Sequence, residues 1–188
     1  MILQGLFKLA RGNAKGIEEF SGTKEAFSAS LAPLIAFPLV GAMITAAGGD
    51  WKTAILGALS RLCAVLTLPL ITYEFSKLFG KTNLWLRTAT ALNWCFWLVL
   101  PAIFLAALLG SFFVQFGLPL IRAEKVVLEL VAFYLLWNRW FVFKAGLQLN
   151  IWRALLVLAV SLVATALFAV APWTAGLPAP NLDFASLP

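Results

Sequence analysis

Three long stretches of this chain carry no charge, and they decide its solvent before anything else. Uncharged residues number 24 between Glu25 and Asp50, 34 between Arg87 and Arg122, and 29 between Arg153 and Asp183. At 1.5 Å per residue, a helix of about 20 such residues matches the roughly 30 Å hydrocarbon core of a bilayer. A domain folded in water would have to bury all three. With 62% hydrophobic and 12% charged residues and a mean hydropathy of +0.94, the chain lacks the polar surface to do so. An ordinary soluble domain is about 45–50% apolar and about 25% charged.

The first run predicts a span over 26–47, ended by Gly48 and Gly49. The second would measure about 51 Å as one straight helix, so Gly110, Gly117 and Pro119 are read as stopping it. That gives a span over 88–113 and an interfacial connector over Val114–Ile121. The third run is expected to be helical over 154–171, with Pro172, Pro178 and Pro180 breaking the remainder. Two further apolar segments carry charge: 53–73 is interrupted by Arg61, and 126–142 by Glu129 and Arg139. The expected fold class is all-α, a polytopic integral membrane helical bundle of about five transmembrane helices. It divides into an N-terminal segment over 1–25, a transmembrane domain over 26–171 and a short Pro-rich tail over 172–188.

With five spans the termini fall on opposite sides. Ten Lys and Arg then lie on the side of the N-terminus, Arg139 counted among them as an inner-loop cation, and three on the other. By the positive-inside rule the N-terminus is cytoplasmic and the C-terminus outside. Trp85, Trp137, Trp140 and Trp152 fall at the inner interface, and Trp51 and Trp173 at the outer one. The first 15 residues lack the uninterrupted apolar stretch and cleavage site of a signal peptide. They read as an interfacial amphipathic helix, with Ile2, Leu3, Leu6, Phe7 and Ala10 on one face and Gln4, Lys8, Arg11 and Lys15 on the other. Lys8, Arg11 and Lys15 are the candidates for contact with anionic lipid, and Ser21 or Thr23 for the cap of the first span.

Residues that carry chemistry are sparse. The chain has no histidine and only eight acids, all scattered, so no metal site, cofactor or catalytic constellation is expected. No phosphate-binding, nucleophile-elbow, dinucleotide or zinc-protease motif occurs. The cations lie between spans and not in a cluster, which excludes nucleic acid. Arg61, Glu129 and Asn93 are the polar intramembrane candidates. Arg61 lies about 12 Å below the outer surface and Glu129 about one turn below it, so the two are expected to pair. Asn93, Asn138 and Tyr134 are expected to bond neighbouring helices, and Pro101 to kink the third span. Small residues four apart mark helix seams at Ser28, Ala32 and Ala36, at Ala102, Ala106 and Gly110, and at Ser161, Thr165 and Ala169. Cys63 and Cys95, on different spans, are read as reduced packing residues.

The local text FSGTKEAFSASLAPLIAFPL at Phe20–Leu39, LNWCFWLVLPA at Leu92–Ala102 and FYLLWNRWFVFKAGL at Phe133–Leu147 resembles Yip1-like small membrane proteins, in particular their bacterial relatives. The acidic DLYGP segment and Gly-Tyr motifs of eukaryotic members are absent, so their roles in vesicle traffic do not carry over. The resemblance implies a helical, non-enzymatic bilayer protein. The function expected is a membrane-organising or partner-binding role in a bacterial inner membrane, with anionic lipid, a second copy or another membrane protein as partner. Two alternatives stand beside it: a small permease or channel subunit with its polar site at Arg61 and Glu129, and an accessory subunit of a larger membrane complex.

Overall fold

The computed structural model describes residues 2–174 and 176, most of them helical and with no strand among them. A short helix α1 (Ile2–Ala10) and a 3₁₀ segment (Ala14–Glu19) precede α2 (Lys24–Ala47) and α3 (Trp51–Leu78). The third span is a broken helix: α4 (Trp85–Cys95), a 3₁₀ turn (Phe96–Leu98) and α5 (Val99–Gln115). Then come α6 (Leu120–Gly146) and α7 (Ile151–Thr174). Five stretches, Lys24–Ala47, Trp51–Leu78, Thr82–Gln115, Leu120–Gly146 and Ile151–Thr174, are long and apolar enough to cross a membrane. This is the architecture of a multi-pass membrane protein.

Local chemistry sets most of the helix ends. Thr23, and not Ser21, caps α2 by accepting from the Ala26 amide at 3.2 Å, and Asp50 caps α3 by accepting from the Thr53 amide at 3.0 Å. Bonds from the Thr53 hydroxyl and then its amide hold the Asp50 carboxyl below the usual range. Gly49, with φ 89°, turns the chain between them as expected.

Several boundaries differ from the sequence reading. The second and fourth spans extend to 51–78 and 120–146, because charge ends contact with lipid without ending a helix. The connector expected over Val114–Ile121 shrinks to Phe116–Pro119 for the same reason. The helix expected to stop before Pro172 runs on to Thr174. A proline lacks the N–H that would serve the carbonyl four residues back, and here the hydroxyl of Ser60 on α3 donates to that carbonyl, Phe168. Pro178 and Pro180, and residues 177–188 of the expected tail, lie outside the described residues. At Pro101 the expected irregularity is the 3₁₀ turn over Phe96–Leu98, which includes the carbonyl that Pro101 leaves without its helical donor.

One end of the bundle gathers the starts of α2, α4 and α7 and the ends of α3 and α6; we call it the basic end. The core lies there. α4 is its axis, packed against α2, α3 and α6 and touched by α1, with every residue from Thr88 to Asn93 buried. Around it α3 packs on α2 and α7, and α6 packs on α5, α4 and α7. α4 approaches α6 closely where Gly146 faces Thr88. The expected seam on α5 is present, with Ala102 buried and Gly110 beside Val127. On α2 the expected seam faces outward: Ser28, Ala32 and Ala36 are exposed, and Ser30, Leu34 and Pro38 are buried. A polar bond sets that phase, since Asn93 Nδ2 donates to Ser30 Oγ at 2.9 Å and Ser30 donates to the Phe27 carbonyl.

Candidate functional site

The N-terminal segment is a docked element. α1 ends in a paired-bond turn in which the Asn13 amide reaches the Lys8 carbonyl at 2.9 Å and the Gly12 amide the Leu9 carbonyl at 3.0 Å. Gly12, with φ 73°, permits that geometry. The chain then folds back so tightly that a Cβ on Gly16 would stand 2.8 Å from the Gly5 carbonyl oxygen and 2.9 Å from Leu9 Cγ. Helix α6 fixes the unit from the side: Tyr134 Oη donates to the Ala10 carbonyl at 3.1 Å, and Asn138 Nδ2 to the Leu9 carbonyl at 3.2 Å. Asn93, Asn138 and Tyr134 thus bond across helices as expected, two of them to carbonyls in the last turn of α1.

Docking divides the apolar face drawn from the sequence and adds Leu9 to its buried part. Leu6 and Leu9 enter the core, whereas Leu3 and Phe7 are 80% and 57% exposed. The reason is tertiary: α1 is gripped by α4, α6 and its own 3₁₀ return, so its buried side is set by those neighbours. The three candidate lipid-contact cations separate accordingly. Lys8 is engaged by Glu19 in the return, and its ammonium holds the Glu19 carboxyl down to about 2 from an ordinary 4.5. The Arg11 guanidinium lies 3.9 Å from the centroid of the Phe7 ring. Lys15 is exposed.

Other cations of the basic end also rest on rings. Lys77 stands 5.3 Å from the Tyr73 ring, Lys144 5.3 Å from Trp140, and Arg153 5.2 Å from Phe79. Trp85 wedges between Phe27 of α2 and Tyr73 of α3, at centroid distances of 5.5 Å and 5.1 Å. Such a collar of cations over amphipathic rings suits the headgroup layer, where the ring meets hydrocarbon and the charge meets water or phosphate.

Arg61 and Glu129 do not pair. Among the described residues the ion pairs are Lys8 with Glu19 and Lys77 with Glu74. Arg61 extends toward Gly41 of α2, its Nη1 3.6 Å from where a Cβ there would stand, and Glu129 is exposed on α6. Equal depth on two helices brings side chains together only when those helices share a seam, and α3 turns its packed faces to α2 and α7.

Two cavities among the described residues bear on a site. A groove of about 660 Å³ runs between α1, α5 and α6 with almost wholly apolar walls, and the buried Trp97 Nε1 beside it has no hydrogen-bond partner. The other, about 500 Å³, lies in the centre of the bundle and is walled by α2, α3, α4, α6 and α7. Its lining is mostly Leu, Val and Ala, with Asn93, Asn138, Arg139 and Thr165 as its polar groups. Arg139, counted from sequence as an inner-loop cation, lies within α6, seven residues or about 10 Å before its end at Gly146. Sequence reasoning set it three residues before the expected end of the span at Val142, and so counted it with the loop cations. The signal available was Gly146, after which LQLN breaks the helix.

Among the described residues no three of His, Cys, Asp or Glu come together as a metal-binding group. Cys95 is buried, Cys63 is exposed, and both thiols are free. No family model matches the chain, and neither the curated proteins nor the solved structures compared with it include a match.

Proposed function

We propose that this is a non-enzymatic protein of a bacterial inner membrane, with the basic end in the cytoplasm, that works by contact with anionic lipid and with partner proteins at that face. The cation and ring collar carries the reading: Lys77, Lys144 and Arg153, from three helices, are each placed over an aromatic ring at one end of the bundle, and Arg11 is placed over Phe7 in the docked N-terminal unit. The excess of Lys and Arg on that side supports the orientation. The docked N-terminal unit extends the same face, with Arg11 and Lys15 outward and Lys8 employed internally. The permease reading at Arg61 and Glu129 loses its geometric basis, since Arg61 reaches toward α2 and Glu129 is exposed on α6.

The test is lipid preference in mixed vesicles. Quenching of tryptophan fluorescence by brominated phosphatidylglycerol should exceed quenching by brominated phosphatidylcholine at equal mole fraction. Changing Arg11, Lys15, Lys144 and Arg153 together to Gln should abolish the difference while helix content stays constant. Equal quenching by the two lipids in the unaltered protein overturns the proposal.

A further inference from the structure

We infer that the central cavity is a binding site for a single amphiphile with an oxyanion head, a carboxylate or a phosphate monoester, and a hydrocarbon tail, and that Arg139 receives the head. The site is separate from the basic collar and does not depend on its role. Four observations converge on it.

Arg139 lies about 10 Å before the end of the membrane-spanning helix α6, and among the described residues it has neither an ion-pair partner nor a hydrogen-bond acceptor. A guanidinium stays charged at any physiological pH, and an unpaired cation at such depth is a standing penalty that a ligand anion would remove. Its nitrogens are not sealed: among the described residues the only fully buried side-chain polar atom without a partner is Trp97 Nε1. The guanidinium therefore keeps free donors at the edge of the cavity, in the planar array that fits a carboxylate or phosphate with two parallel bonds.

Asn93 of α4 and Asn138 of α6 also line the cavity and are themselves buried. Each amide nitrogen is spent on the protein, Asn93 to Ser30 and Asn138 to Leu9, and neither amide oxygen accepts a bond from it. Two amide groups lining the same cavity as one cation suit a head that also carries a donor, such as a hydroxyl. The rest of the wall, including Leu34, Leu68 and Leu135, is hydrocarbon. At about 500 Å³ the cavity falls in the size range of ligand pockets. A charged end and an apolar body within one half-open space define an amphiphile, not a small inorganic ion.

The experiment uses the full chain in nanodiscs of phosphatidylcholine alone, which remove anionic bilayer lipid from the collar. Three 16-carbon probes are titrated: the free fatty acid, the lysophosphatidic acid and the fatty alcohol. Retention is read by native mass spectrometry and affinity by calorimetry. We expect one equivalent of an acidic probe to bind at least tenfold more tightly than the alcohol, and the tighter of the two acids identifies the source. Arg139→Gln should erase the preference for acid over alcohol, Arg139→Lys should keep part of it, and Ala132→Leu, which fills the cavity, should weaken tail binding with Arg139 intact. The inference is overturned if the alcohol binds the unaltered protein as tightly as both acids, if neither acid binds, or if Arg139→Gln leaves the preference unchanged. The comparison of probes on the unaltered chain stands even where a variant fails to fold.

Discussion

The approach of α6 to α4 sets two physical effects against each other at a single atom. Gly146 is the last residue of α6, and glycine in a helix is less favourable than alanine by about 1 kcal/mol, somewhat less at an end. Propensity alone therefore predicts that Gly146→Ala stabilises. A Cβ at that position would stand 2.5 Å from Thr88 Oγ1, 2.6 Å from Thr88 Cγ2 and 3.0 Å from Thr88 Cβ. Thr88 cannot swing away. It is fully buried, β-branched, and donates to the Leu84 carbonyl at 2.8 Å, so the helices themselves must separate. Overpacking of this kind costs about 1–3 kcal/mol, and contact at two atoms puts it in the upper half of that range.

The net expectation is that Gly146→Ala destabilises by about 1–2 kcal/mol, or a few degrees in midpoint for a chain of this size. Gly57, inside α3 with open space where its Cβ would stand, is the control: there only propensity acts, and Gly57→Ala should stabilise by up to about 1 kcal/mol. Thermal unfolding in detergent, monitored by circular dichroism, reads both. Thr88→Ala removes the two nearest clashing atoms. The double variant should accordingly be more stable than the sum of the singles predicts, by about 1 kcal/mol. The reasoning is refuted if Gly146→Ala is as stable as the parent, or if the two substitutions are strictly additive.

Local chemistry sets three further outcomes. Glu19 has a depressed pKa beside Lys8, so its contribution to docking of the N-terminal unit is complete above about pH 4.5 and is lost as pH falls toward about 2; amide exchange of residues 5–20 should be flat from pH 8 to 5 after correction for intrinsic rates, with protection falling only below that. Gln148 is the non-glycine residue with positive φ, 52°, among the described residues, and it is exposed, so Gln148→Gly should raise stability by about 1 kcal/mol in the same unfolding assay. Ser60→Ala should cost about 0.6 kcal/mol in the parent and nothing after Pro172→Ala, which returns to the helix the N–H that Phe168 lacks; an equal loss in both backgrounds removes the proposed role of Ser60.

The features legible in the sequence are those a bilayer selects. Length and charge are read by lipid directly, so three spans were visible in charge-free runs and two in apolar runs that carry charge, without any knowledge of packing. The phase of a helix about its own axis is a different matter in a nearly uniform apolar sequence. On α2 the small-residue stripe Ser28, Ala32 and Ala36 was as plausible a seam as Ser30, Leu34 and Pro38, and a single hydrogen bond from Asn93 chose between them. Arg61 and Glu129 failed in the same way, because depth is a one-dimensional quantity and pairing also needs azimuth.

Arg139 shows the converse limit. Its flanks, Trp137 and Trp140, are interfacial residues by composition, and they drew the whole NRW segment to the membrane surface in the sequence reading. In the fold Trp137 stacks on Phe141 at 5.7 Å and approaches Tyr134 at 6.0 Å, so these rings line one side of α6 as packing. Trp140 meets Lys144 nearer the helix end. Arg139 lines the central cavity while these aromatic neighbours pack elsewhere on the same helix. An interface mark on one side of a helix therefore does not fix the depth of the next residue around it. In a chain with few polar residues, the cation that fails to find an acid is the one whose surroundings repay inspection. Here those surroundings hold two unspent amide acceptors and a hydrocarbon-lined space, and that combination makes Arg139 a site and not a misplaced loop charge.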